Sequence, residues 1–182
     1  MTKLFTSLFI ALFCSSCLIP DHGQAVDRTS GDSQPCVTLT GADSHVTERG
    51  YHRIMSTEEW VRVWQKHKGE KQDGEYNFHY NPLGLPVVDF ERYMVVGIFE
   101  GSSWNSAGLT TVSIDEEKTR IVFRFDSKSY QTTGPDGGGQ KVTVYGFFVI
   151  PRSTKRLVLE ESAQRRKDQP PAWKERVAFP GL

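Results

Sequence analysis

The stretch MVVGIF (residues 94–99) is apolar on both of the faces that a β-strand presents. Successive side chains of a strand point to opposite sides, so such a run needs a covering layer above and below it. IVFRFD (121–126) reads differently, because Ile121, Phe123 and Phe125 alternate with Val122, Arg124 and Asp126. That alternation predicts one packed face and one wet face. A sheet containing both kinds of strand needs a further layer, and a helix is the expected cover.

The helix is legible upstream. In MSTEEW (55–60) Ser56 is placed to cap, Glu59 to reach back, and Met55 to pack on Trp60 as a hydrophobic staple. The spacing predicts a helix over 57–68, stopped by Gly69. At 100° per residue Trp60, Val63 and Trp64 share one stripe with Val61 at its edge, which predicts a core contact rather than a cofactor box. His67 falls between Val63 and Trp60 and reads as a half-buried residue of the last turn, favoured there by the helix dipole.

Around this pair, CVTLT (36–40) and ERGYHRIM (48–55) read as two short strands. TTVSID and RIVFRFD are joined by EEKT, and KVTVYGFFVI is joined to KRLVLEE by PRST. Links this short predict antiparallel neighbours. The expected fold is therefore α+β: a single antiparallel β-meander over about 93–161, either an open sheet or a small barrel, with one packed N-terminal helix. Residues 70–86 are a long Gly-, Asn- and Pro-rich excursion, read as a flap or packing segment. The tail 163–182 is charged and Pro-containing, and in its AWKERVAF run Trp173 and Val177 read as i, i+4 neighbours that dock on the domain.

The N-terminus predicts an address. A lone Lys3 precedes the apolar run Leu4–Phe13 and then CSSC, which reads as an export signal over 1–17. Crossing a bilayer takes about 20 apolar residues, more than this run offers. Ser15 and Ser16 stand before Cys17 as small residues do at a lipoprotein cleavage site, although Cys14 occupies the position where Leu is usual. Two routes stay open: lipidation of Cys17, or cleavage by signal peptidase I. Lipidation leaves Cys36 unpaired, whereas the other route allows one Cys17–Cys36 bridge. Residues 18–35 are polar and read as a tether, and 36–162 as the β-rich domain. On this reading the protein is exported to the cell envelope, lipid-anchored or periplasmic, and touches a membrane only through a lipid anchor. Labelled fatty acid is expected in the wild type and absent from Cys17→Ser; incorporation that survives the change would place the lipid elsewhere.

Composition excludes several function classes. Without residues 1–17 the chain keeps 21 basic residues against 22 acidic ones, a net charge near −1. A broad nucleic-acid footprint needs a basic surplus, so no nucleic-acid partner is expected. GPDGGGQK (134–141) spaces Gly134 and Gly139 as a phosphate-binding loop would, but Gln140 holds the lysine position and Lys141 opens a strand. No G-x-S-x-G elbow occurs, and nothing local marks Ser102 or Ser103 as activated. The carboxylate pairs Glu58–Glu59, Asp115–Glu116–Glu117 and Glu160–Glu161 read as solvated charge at element ends. His79 has no second ligand at a metal spacing. No catalytic residue, metal or cofactor is assigned.

The succession VDFERYMVVGIFEG (88–101), a short Gly- and Asn-containing turn, two alternating strands and VYGFFVIPRSTKRLVLEE (144–161) resembles the PrcB C-terminal domain family. The motif is MVV-x-x-F-x-G at 94–101, Gly108 after the turn, and a strand ending in Ile150–Pro151. Where members tend to have a Pro-containing turn ending Gly-Gly-Tyr, this chain has W-N-S-A-G-L, with Ala107 and Leu109 in place of a Gly and the Tyr. The family is named for an accessory subunit of a surface protease complex. The resemblance implies an exported, non-enzymatic β-rich domain that binds or stabilises another protein such as a protease. A small β-domain protease inhibitor acting through Gly-flanked loops is the alternative.

The stretch GSSWNSAGL (101–109) is the candidate contact site. Gly101 and Gly108 are expected to bracket a hairpin loop, glycine being suited to tight bends, with Trp104 and Asn105 at its apex. Trp104 then either folds back on the sheet edge or stands free as an aromatic anchor, a residue type enriched at interface hot spots.

Overall fold

The computed structural model describes residues 34–70, 75–132, 139–163 and 168–182. The expected export signal with Cys17, the tether up to residue 33, and residues 133–138 of the Gly-rich run lie outside the described residues.

The elements in chain order are β1 (Val37–Gly41), β2 (Gly50–Ile54), α1 (Thr57–Lys68), β3 (Tyr93–Trp104), β4 (Ser106–Glu116), β5 (Arg120–Ser129), β6 (Lys141–Pro151), β7 (Arg156–Ser162) and β8 (Trp173–Phe179). The chain is mostly β with one helix. Its strands form two four-stranded sheets, ordered β1-β6-β3-β2 and β4-β5-β7-β8. The expectation of a single meander sheet or small barrel is thus corrected: there are two sheets, and neither closes.

The alternation in MVVGIF explains why. Met94, Val96 and Ile98 point into a core shared with Phe123, Phe125, Leu157 and Leu159 of the second sheet. Val95 and Phe99 point the other way, into a core with Trp60, Val63 and Trp64 of the helix. The first sheet is therefore the middle of three layers, covered on one side by α1 and on the other by the second sheet. All six positions except Gly97 are 0–1% exposed hydrophobics.

The helix is set by its ends. Ser56 Oγ accepts the Glu59 N–H at 3.3 Å, while Glu59 Oε2 accepts the Met55 N–H at 2.9 Å, one residue earlier than in the usual reciprocal box. Gly69 is left-handed at φ +69°, and a Cβ there would stand 2.5 Å from the His45 ring, so only glycine fits. The indole N–H of Trp60 donates to the Pro86 carbonyl at 2.8 Å, and that of Trp64 to the Leu83 carbonyl at 2.9 Å. These bonds hold the 75–86 excursion against the helix, with Tyr76, Leu83 and Leu85 buried. Among the described residues of that excursion these three pack, while Phe78 and Tyr80 stay exposed.

EEKT does make an antiparallel hairpin between β4 and β5, with the Glu117 N–H donating to the Arg120 carbonyl at 2.8 Å. PRST does not. It carries the chain from β6 in one sheet to β7 in the other, so β7 pairs with β5 in parallel. The AWKERVAF run is the strand β8, antiparallel to β7, rather than a helical turn. Trp173 lies near the guanidinium of Arg124, which is 5.2 Å from its ring centroid and ion-paired with Asp115 and Glu160 at 2.8 Å each.

Candidate functional site

Gly101 and Gly108 do not flank a hairpin loop, because β3 and β4 belong to different sheets. Gly101 follows the bulged residue Glu100, where the pairing with β6 shifts register. It has φ +74°, and a Cβ would stand 2.7 Å from the Thr47 carbonyl oxygen. The strand then continues to Trp104, paired with Lys141 of β6. Gly108 has φ +108° beside a second bulge at Ala107, with open space around it, so there the backbone angle alone calls for glycine.

The change of sheet takes one residue. Asn105 adopts φ +55°, a left-handed angle that Asn tolerates better than most residues. Its N–H donates to the Gln140 carbonyl at 2.9 Å, its Oδ1 accepts the Gln140 N–H at 2.8 Å, and its carbonyl accepts the Tyr130 N–H at 2.8 Å. One residue, through its side chain and both of its backbone groups, thus ties the β3–β4 corner to the residues that follow β5 and precede β6.

Trp104 is 64% exposed. Its six-membered ring lies over Gly139, where a Cβ would approach to 3.0 Å. Of the two arrangements open to it, the ring takes the exposed one, resting one part on backbone. Tyr130, 40% exposed, is joined to the same corner through Asn105. Sequence reasoning missed Tyr130 and Gln140, since their closeness to Asn105 is wholly non-local.

It also missed a charged cluster at one end of the inter-sheet core. Glu100 accepts a 2.7 Å bond from Ser127 Oγ and lies 3.9 Å from Arg49. Arg49 stands 3.5 Å from Glu161, which also pairs with Arg176 of β8. Burial pushes the Glu100 carboxyl above its usual range, opposed by Ser127 and Arg49. The reading of Glu160–Glu161 as solvated charge is corrected: Glu160 is ion-paired to Arg124, and the Glu161 side chain is only 11% exposed. The cluster joins Arg49, just before β2, with β3, β5, β7 and β8 and ties the sheets together. The sequence signal was a carboxylate ending the apolar run of β3 just before a glycine.

His67 is likewise corrected. It is 2% exposed, its Nδ1 lies 3.1 Å from Ser44 Oγ, and its Nε2 has no hydrogen-bond partner. Burial, then the charge of Lys68, pushes its pKa down to about 4, so it is neutral at pH 7 and takes nothing from the helix dipole as a cation. A serine beside a histidine invites a nucleophile reading, but Ser44 is itself 5% exposed and accepts the Val46 N–H. Both side chains are turned into the fold.

His79 is exposed and stacks edge-on with Tyr80. Among the described residues no three His, Cys, Asp or Glu come together as a metal group. Among them, too, no helix is long and apolar enough to cross a membrane. Cys36 is an exposed free thiol. No protein-family model matches the chain, and no match was found among curated proteins or solved structures.

Proposed function

We propose that this chain is an exported, non-enzymatic cell-envelope protein whose β-rich domain binds or stabilises another protein, a protease, through the Trp104 corner. The observation that carries the reading is the contrast within two residues. Asn105 is locked by three hydrogen bonds, whereas the neighbouring indole is 64% exposed. A large aromatic held out from a rigid corner has little conformational entropy left to lose on binding, which favours an interface anchor. The resemblance of 88–101 and 144–161 to the PrcB C-terminal domain family supports a protease-associated partner.

The test is a photo-crosslinking amino acid at position 104 in the native envelope, followed by a binding assay with the protein recovered. One dominant partner is expected. Trp104→Ala should leave the thermal melt nearly unchanged and weaken that complex by about 2 kcal/mol or more, roughly thirtyfold. A large fall in melting temperature with unchanged affinity per folded molecule would make the corner purely structural. Inhibition of the recovered protease by the domain alone would favour the inhibitor reading over the accessory one.

A further inference from the structure

The face of the first sheet that α1 covers is covered unevenly. In-register pairing sets Val37, Val149, Val95 and Ile54 in one row across β1, β6, β3 and β2. Residues paired directly across neighbouring strands share a face, so the row is continuous. Ile54 and Val95 are 1% and 0% exposed, Val149 is half-buried, and Val37 is 49% exposed. A helix is about 10–12 Å across, whereas four strands spaced about 4.8 Å apart put the outer two about 14 Å from each other. One helix seated over β2 and β3 therefore leaves the β1 end of the row uncovered.

A cavity of about 400 Å³ lies there, lined by the three valines of the row, by Trp60 of α1, by residues 86–89 and by Cys36. Val87 is 96% exposed beside it, so the cavity opens to solvent between Val87 and Val37. Its polar groups are already engaged. The Trp60 N–H donates to the Pro86 carbonyl, the Cys36 N–H to the Val149 carbonyl at 2.8 Å, and the Tyr93 N–H to the Asp89 carbonyl at 2.9 Å. Asp89 Oδ1 accepts the Glu91 N–H at 3.1 Å. Asp89 is the one charged residue lining the cavity among the described residues, and it disfavours an anion inside. The stretches outside the described residues supply no cover of matching chemistry: 20–33, 71–74, 133–138 and 164–167 hold Ala25 and Val26 as their only apolar side chains besides prolines.

We infer that this cavity takes one unbranched hydrocarbon chain of a separate lipid molecule, which enters past Val37 and Val87 and leaves its headgroup in water. The chemistry follows from a lining that is apolar and asks for no hydrogen bond, which is how a hydrocarbon site differs from one for a polar metabolite. The shape follows from the floor, a single row of valines that crosses three strands and suits a chain rather than a fused ring system. The position of the headgroup follows from Asp89 and from the open mouth. This site is separate from the Trp104 corner, and neither inference requires the other.

The test uses the whole chain carrying Cys17→Ser, so that no acyl group at that position competes. The probes are single-chain phosphocholines of about six to sixteen chain carbons, each held below its micelle-forming concentration and titrated calorimetrically. One molecule per chain is expected to bind, with affinity rising about fourfold per added methylene until the cavity is full and staying level beyond that length. Val37→Asp should weaken binding about tenfold or more by setting a carboxylate at the entrance. Thr38→Asp puts the same charge on the opposite face of β1 and should leave binding nearly unchanged. Both positions are exposed, so both variants should melt like the parent; Val37→Asn serves if Val37→Asp does not. Absence of binding, an affinity that climbs with chain length and never levels, or equal losses in the two Asp variants would each overturn the proposal. Binding by Cys17→Ser together with none by an acylated wild type would give the cavity to the chain's own lipid, and overturn it as well.

Discussion

Trp64→Ala is expected to cost the folded domain about 3–5 kcal/mol, the range for deleting a large buried aromatic. Trp64 is 6% exposed, tilts against Trp60 at 5.2 Å and against Phe147 at 5.6 Å, and donates its indole N–H to the Leu83 carbonyl. Truncation therefore opens a cavity between helix and sheet and leaves a carbonyl without its donor. It also releases one of the two indole bonds that hold the 75–86 excursion. Against a total stability of about 5–15 kcal/mol this is a large fraction, and the melting temperature should fall by about 10 °C or more. Chemical denaturation with a thermal melt measures it. Trp64→Phe should recover most of the loss, because the ring volume matters more than the single bond. A Trp64→Ala variant melting within two or three degrees of wild type would mean that α1 does not cover the first sheet.

Acidification should weaken the domain by a comparable amount through His67. Its folded pKa, about 4, lies below the unfolded value of 6.5 because burial disfavours the imidazolium. The unfolded state therefore binds the proton first. The contribution is fully present above pH 6.5 and is lost as pH falls from 6.5 toward 4, with a slope approaching 1.4 kcal/mol per pH unit and a total of about 3 kcal/mol. Glu100 works in the opposite sense, since its raised pKa lets the folded state take up a proton more readily. His67→Phe separates the two, for it keeps an aromatic against Tyr145 and Phe147 and removes the titration. In that variant the stability between pH 6.5 and 4 should lose most of its downward slope. An unchanged slope would place the acid sensitivity in another group.

The candidate site was legible in part. Trp104 and Asn105 could be named from a polar, Gly-flanked interruption between apolar runs, and a left-handed Asn is a known exception to the usual backbone limits. The corner's geometry could not be read, because a single-residue passage between layers carries the same glycines and small polar residues as a hairpin loop. Tyr130 and Gln140 reach Asn105 only after β5 and β6 have taken their places.

One set of features follows from neighbours along the chain. The cap at Ser56, the stop at Gly69, the buried stripe of Trp60, Val63 and Trp64, and the demand of residues 94–99 for cover on both faces all rest on periods of two to four residues. The β4–β5 hairpin belongs with them, its polar link turning within one sheet. Which sheet each strand joined was settled by long-range pairing. PRST is as short as EEKT, yet it crosses between layers and makes β5 and β7 parallel, and AWKERVAF finds an open edge and becomes β8. The physical reason is that strand pairing is satisfied by hydrogen bonds from distant residues, so a short link limits where the next strand can start without fixing its neighbour. The burial of Glu161 and the neutrality of His67 follow from the same source, because each depends on the layers that close over it.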